Sequence, residues 1–332
     1  MRGLVYLGAN MLAYREVAPP APGPDEALVR VDAVGICGSD LHAYKGHDPR
    51  RVPPMILGHE FVGTVEGGKM AGRRVTANPL VVCGACRYCA EGRTNLCSDR
   101  TMIGMNRPGA YAERLAVPYR CLIAVPDGVS DRAAALTEPA ATVVHALALA
   151  ERALVRPVAE ARSLVIGGGA IGLLGALALQ RRCVRAPVAV ETNPLRRQTM
   201  RRALGSQAVS PEKVGTEMAG SFDFVFDAVG VAATRDLAIS AAASGGVVVH
   251  AGLGEWASPL DWRDLTLREI ALIGCYTYSN SDLRAALEAL GMGGFGALDW
   301  VEERALAQGA DAFADLTAGR AAAPKILLRP GG

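Results

Sequence analysis

Residues 163–174 read SLVIGGGAIGLL. An apolar run, LVI, meets Gly167, Gly169 and Gly172 in the pattern G-x-G-x-x-G, and ALALQRR (176–182) continues with helical character. A strand that breaks into such a turn and reopens as a helix predicts a cradle for a dinucleotide pyrophosphate. Gly167 permits the tight turn, Gly169 lets the backbone approach the phosphates, and Gly172 lets helix pack close to strand. Ala170 and Ile171 begin the helix, whose first N–H groups point at the anion.

Reading outward, a second short strand, APVAVE, ends in Glu191, nineteen residues after Gly172. A carboxylate there can accept hydrogen bonds from both ribose hydroxyls and repels a 2′-phosphate, which favours NAD over NADP. Arg196 and Arg197 pull the other way, but TNPLRRQTMRRALG (192–205) reads more simply as an exposed helix with a basic face. Strand-like runs at 222–230, 245–255 and 268–276 alternate with helical ones such as ATRDLAISAAA. That alternation predicts a parallel sheet covered on both faces, with ligands at the carboxyl ends of its strands. Residues 227–230 and 252–254, among them Ala228, Val229, Gly252 and Leu253, should then border the nicotinamide; ordinary turn chemistry is the alternative for their glycines.

Four of the chain's eight cysteines, Cys83, Cys86, Cys89 and Cys97, crowd into VVCGACRYCAEGRTNLCSD (81–99) with spacing C-x2-C-x2-C-x7-C. Four thiolates closing on one point make the shell of a structural zinc, leaving no position for substrate. An iron–sulfur cluster also takes four thiolates. A second set of donors is scattered: Cys37 with Ser39 and His42 in GICGSDLHAYKGHD, His59 and Glu60 in LGHEF, and Glu138 in LTEPAATVVHAL. One thiolate, one imidazole and carboxylates could hold an ion with an exchangeable position, as catalytic zinc requires. Alone, each residue reads as a packed core group, and Glu138 beside Pro139 as an acid at a helix start.

In order along the chain, GICGSDLH, GHE, the four-cysteine loop and the glycine turn make the sequence resemble the zinc-dependent medium-chain dehydrogenase/reductase family over essentially its whole length. Glu138 in TEPAATVVHA makes it most similar to the polyol and threonine dehydrogenase branch. The resemblance implies a Rossmann doubly wound parallel sheet inserted in a β-rich, GroES-like catalytic domain. The segments would be 1–140 and 276–332 for the catalytic domain and 141–275 for the NAD domain, with a cleft between them. It implies one catalytic and one structural Zn2+ per subunit. Cys37 and His59 would be catalytic ligands, Glu60 a direct ligand or a close carboxylate just behind the ligands, and Glu138 a direct ligand or one that touches the metal through water. Ser39 would be the near proton relay and His42 the far one, against a turn-capping hydroxyl and a packing histidine. Arg196 would lie along the adenosine ribose. The reaction implied is hydride transfer from a secondary alcohol or polyol to NAD. Phosphorylated sugar alcohols and threonine are alternative substrates; a zinc-free NADPH enone or quinone reductase and a non-catalytic nucleotide binder are the rival classes.

The remaining features bound this reading. The 332 residues, half of them hydrophobic, suffice for about two domains. A net charge of +2 with interspersed signs argues against nucleic acid or a membrane surface as partner. No signal peptide or spanning run is apparent, so a cytoplasmic site with reduced thiols is expected. The apolar strand 268–276 would be an exposed sheet edge in a monomer, which predicts a homodimer or homotetramer. His47, Asp48, Arg50 and Arg51 could meet a polar polyol or a sugar phosphate, or face solvent.

Overall fold

Along residues 26–35, EALVRVDAVG, every second residue from Ala27 to Ala33 is apolar, as a strand with one buried face requires. In the computed structural model, which describes residues 1–205 and 208–331, this strand (Glu26–Gly35) is central to a seven-stranded sheet. The path across it runs Leu122–Ala124, Arg74–Ala77, Glu60–Val65, Glu26–Gly35, Lys325–Arg329 and Val301–Ala305. Arg114–Pro118 pairs with the first half of Glu26–Gly35. Val29, Phe61, Leu115, Phe313 and Leu328 are buried in the core it builds.

The register at the end of that strand sets the place of the first group of donor side chains. Gly35 lies opposite Glu60 on one side and Leu327 on the other, both antiparallel. A Cβ at position 35 would overlap Glu60 Oε2, so only glycine admits the carboxylate there. The chain then leaves the sheet as Ile36 and Cys37, beside His59. Cys37 becomes the N-cap of the helix Gly38–Tyr44. The antiparallel pair Leu80–Val82 and Arg100–Met102 frames the four-cysteine loop.

A second, six-stranded sheet is parallel throughout. Its spatial order is Ala208–Val209, Val188–Val190, Ser163–Ile166, Phe222–Asp227, Ala242–His250, Ala271–Gly274. Numbered along the chain this is 3-2-1-4-5-6, the doubly wound Rossmann order, whose direction reverses between Ser163–Ile166 and Phe222–Asp227. Leu164, Ile166, Val190, Phe222, Val225 and Val248 fill its interior, as continuous apolar strands of a twice-covered sheet should.

The chain divides into two units: Met1–Glu138 with Ser279–Met292 and Val301–Gly332, and Pro139–Tyr278 with Gly293–Trp300. The returning tail is thus split. Gly293–Trp300 goes to the second unit, where position 296 lies against Leu177 and Arg181 and both Phe295 and Trp300 are buried. Among the described residues no helix is long and apolar enough to cross a membrane.

Gly35→Ala is expected to cost about 2 kcal/mol of stability through the forced displacement of Glu60. Urea unfolding reads this out, and an unchanged midpoint would contradict the role given to this register.

Candidate active site and metal centres

The first unit gathers Cys37, His59 and Glu60, each offering a donor atom within 4.8 Å of the others. Two adjacent chain segments supply all three: the strand end at Gly35 presents Cys37, and its partner strand starts at Glu60 with His59 just before it. His59 and Glu60 are buried. The His59 Nδ1 atom is buried without a hydrogen-bond partner and stands 3.6 Å from Asp40 Oδ1. Burial alone would lower the imidazole pKa. Asp40 first, then Cys37 and Glu138, outweigh it and push His59 up to about 10. An enclosed cluster of a thiol, an imidazole and carboxylates that calls this strongly for positive charge fits a divalent cation.

Glu60 is also held by a residue that nothing in its sequence context singles out. The buried Lys325 ammonium donates to Glu60 Oε2 and, at 2.8 Å, to the Ile36 carbonyl. A carboxylate has lone pairs enough to serve both Lys325 and a metal. Glu138 stands outside the three-donor group. It is buried in the first turn of the helix Thr137–Ala153 and close enough to raise the pKa of both His59 and Lys325.

Ser39 and His42 are one helical turn apart on Gly38–Tyr44, and so share a face. Burial, followed by the neighbouring His47, lowers the His42 pKa; the two rings meet edge to face at 5.2 Å. Beneath them lies a buried network. Tyr111 Oη donates to Asp40 Oδ2 at 2.6 Å, and the fully buried Arg51 guanidinium donates to Ser39, Asp40 and Asp48. Asp48 is held at about 2: burial opposes its charge, but hydrogen bonds and charge from Arg50, with Arg51 behind, overcome it. Arg51 therefore neither faces solvent nor reaches outward to a sugar phosphate. Its charge is spent on carboxylates inside the fold.

In the loop, Cys83 Sγ lies 3.5 Å from Cys97 Sγ and 4.0 Å from Cys89 Sγ, and Cys86 and Cys89 are 3.6 Å apart. A tetrahedron with metal–sulfur bonds of about 2.3 Å has edges of about 3.8 Å, so the four sulfurs fit a single ion. A multi-iron cluster would spread its thiolates more widely. The backbone N–H groups of Ala85 and Cys86 point at Cys83 Sγ, 3.4 and 3.3 Å away, and favour the thiolate.

The second unit carries the glycine turn. A Cβ on Gly172 would overlap the Gly167 carbonyl, which is the close helix–strand approach itself. Gly169 caps the helix Ala170–Arg182 with no side-chain hydrogen bond, and the space over its Cα is open. First-turn amides under an open glycine cradle fit a pyrophosphate. Glu191 is folded onto the turn: its Oε2 accepts from Gly168 N at 2.7 Å and its Oε1 from Asn193 N at 2.6 Å. Arg196 lies in the first turn of Pro194–Leu204, its N–H donating to Asn193 Oδ1. Ala228 and Val229 follow the strand Phe222–Asp227, whose Asp227 Oδ1 accepts from Val229 N and Gly230 N. Gly252 packs backbone to backbone on Val229 and Gly230, while the neighbouring Leu253 is exposed. Arg235 ties these loops together by donating to the Gly230 and Glu255 carbonyls and to Ser258 Oγ.

Residues 23–127 match the family described as Alcohol dehydrogenase GroES-like domain, and residues 170–291 match Zinc-binding dehydrogenase. The chain is 35% identical over 295 residues to an L-threonine 3-dehydrogenase of Mesorhizobium japonicum, covering 83% of each. It is 34% identical over 266 residues to the L-galactonate-5-dehydrogenase of Escherichia coli K12, covering 76% of each. A solved structure described as a zinc-binding dehydrogenase from Sinorhizobium meliloti 1021 bound to NADP superposes with a TM-score of 0.88 at 28% identity, covering 99% of both chains.

Metal binding to the site of Cys37 and His59 must displace the proton that its carboxylates hold on His59. Zinc affinity is therefore expected to rise with pH through the neutral range up to about pH 10, where His59 loses its proton unaided, with protons released on zinc addition at neutral pH. Chelator competition and pH-stat titration of the metal-free protein test this; affinity that does not change with pH would contradict it.

Proposed function

The chain belongs to the zinc-binding dehydrogenase family of the alcohol dehydrogenase superfamily, and from that premise we propose that it oxidises a secondary alcohol or polyol to the ketone, with NAD as hydride acceptor. The observation that carries this reading is the convergence of Cys37, His59 and Glu60 donor atoms within 4.8 Å. When bound, a zinc ion would supply the Lewis acid that favours loss of the alcohol proton, and the nicotinamide would take the hydride.

The chain's own residues do the rest. Cys37 and His59 hold the ion. Glu60, shared with Lys325, and the nearby Glu138 are the carboxylates available to it, and with fewer than four fixed ligands a position stays exchangeable. Ser39 takes the hydroxyl proton and His42, on the same helix face, passes it towards solvent. Cys83, Cys86, Cys89 and Cys97 hold a second, structural zinc. Open amides at residues 169–171 bind the pyrophosphate, and residues 228–229 and 252–253 border the nicotinamide. Glu191 at the strand end supports NAD over NADP, since its carboxylate already faces the glycine turn where the ribose would lie. The exposed Leu272 on the edge strand Ala271–Gly274 supports a homodimer, or a homotetramer of dimers.

A threonine-type substrate is the second reading, favoured by the Mesorhizobium relative. A phosphorylated sugar alcohol is less favoured, because Arg50 and Arg51 both bind Asp48.

Purified protein is expected to contain zinc and to reduce NAD in a panel of polyols, secondary alcohols and threonine, with NADP the poorer acceptor. Cys37→Ser should abolish turnover while leaving NAD affinity within about twofold, because the nucleotide residues lie in the other unit. Full activity in that variant would overturn the proposed site. Cys97→Ser should lower the melting temperature, and a loss of rate at an unchanged melting temperature would contradict its structural role.

A further inference from the structure

Arg51 is the largest fully buried side chain of the described residues, and nothing in the reaction outlined above uses it. Its guanidinium makes four contacts, all within the first unit: Nε to the Gly104 carbonyl at 3.1 Å, Nη1 to Asp48 Oδ2 at 2.5 Å, and Nη2 to Ser39 Oγ at 3.0 Å and Asp40 Oδ1 at 3.3 Å. Asp48 and Asp40 neutralise the charge. The contact with Ser39 is not needed for that, and it touches the hydroxyl assigned to the proton relay.

We propose that Arg51 is a positioning residue for proton transfer, occupying one lone pair of Ser39 so that this hydroxyl keeps a single acceptor position and a single hydrogen for the relay. The inference rests on the alcohol dehydrogenase reading above.

A guanidinium has donors and no acceptor, and it stays charged inside proteins. In its contact with Arg51, Ser39 Oγ must therefore accept. A hydroxyl has one hydrogen and two lone pairs. With one lone pair taken by Arg51, a single lone pair and a single hydrogen remain. The lone pair receives the proton from the substrate hydroxyl, and the hydrogen leaves towards His42 or water. The alcohol O–H bond breaks, a Ser39 O–H bond forms, and the original Ser39 O–H bond breaks, so Ser39 keeps one hydrogen throughout and its O–H direction is reversed until the hydroxyl rotates back. The cation beside it disfavours a doubly protonated oxygen, which couples the arriving proton to the departing one. Asp40 is fixed by the same group: its Oδ1 lies between Arg51 Nη2 and His59 Nδ1, while Oδ2 accepts from Tyr111. Arg51 thus joins the relay to the carboxylate that faces the metal-site histidine.

The test compares zinc-loaded wild type, Arg51→Met, Arg51→Lys, Ser39→Ala and the Ser39→Ala/Arg51→Met double variant. Rates are normalised to zinc content, and NAD affinity is read by fluorescence. Arg51→Met is expected to lower kcat about a hundredfold, with KM for the alcohol and NAD affinity within about twofold of wild type. Arg51→Lys, which restores charge and a donor, should recover part of that loss. The double variant should be no slower than Ser39→Ala alone, since Arg51 acts through Ser39. If Arg51→Met does not accumulate as folded protein, Arg51→Met combined with Asp48→Asn, which removes one charge of each sign, enters the same cycle. Wild-type turnover in the Arg51 variants, or losses that multiply in the double variant, would overturn this inference alone. A wild-type protein inert towards every alcohol would overturn it together with the proposed function.

Discussion

The antiparallel pairing of Gly35 with Glu60 is the constraint on which the first unit's chemistry depends. Two strands from distant parts of the chain, Glu60–Val65 and Lys325–Arg329, close on Glu26–Gly35 from opposite sides. Their convergence places a thiol, an imidazole and a carboxylate together, and sets Lys325 against that carboxylate. The absence of a side chain at position 35 makes room for it. A one-residue slip of either partner would turn Glu60 or Lys325 to the other face of the sheet and undo the cluster.

Charge is dictated by this geometry. The buried carboxylates of Asp40, Glu60 and Glu138 and the half-buried Cys37 thiol crowd acidic groups together where unpaired charge is costly. Lys325 and Arg51 meet part of that demand from within the fold. The high pKa of His59 expresses the remainder, and a metal is the natural answer to it. The second unit solves its own problem differently. It offers backbone amides and an open glycine surface to an anion, and keeps the Glu191 carboxylate at the edge of the turn.

The legible part of the sequence was local. The glycine turn, the cysteine spacing and the apolar runs at 164–166, 222–227 and 247–249 carry their meaning in a few adjacent residues, and the parallel sheet is implied by them. The returning strand Val301–Ala305 is hard to read because its polar residues look like a solvated segment; in the fold Glu303 pairs with Arg132 and Arg329, and Arg304 with Asp315. Ala208–Val209 is too short to signal itself. Lys325 is inconspicuous because its partner lies 265 positions away, and a lysine in an apolar terminal strand has no spacing that marks it. Asp40 and Arg51 sit inside or beside recognisable motifs, yet only burial distinguishes a structural guanidinium from one facing solvent or substrate. The relation of Glu138 to Glu60 is not legible either, since it depends on where a helix from a third segment begins.

The central claim is that this register builds a metal site from Cys37 and His59, separate from the cysteine loop. Diffraction from zinc-containing crystals on either side of the zinc absorption edge tests it most directly. Two anomalous peaks per chain are predicted, one within about 2.5 Å of both the Cys37 sulfur and a His59 ring nitrogen, the other among Cys83, Cys86, Cys89 and Cys97. A single peak, confined to the cysteine loop of fully zinc-loaded protein, would contradict the account.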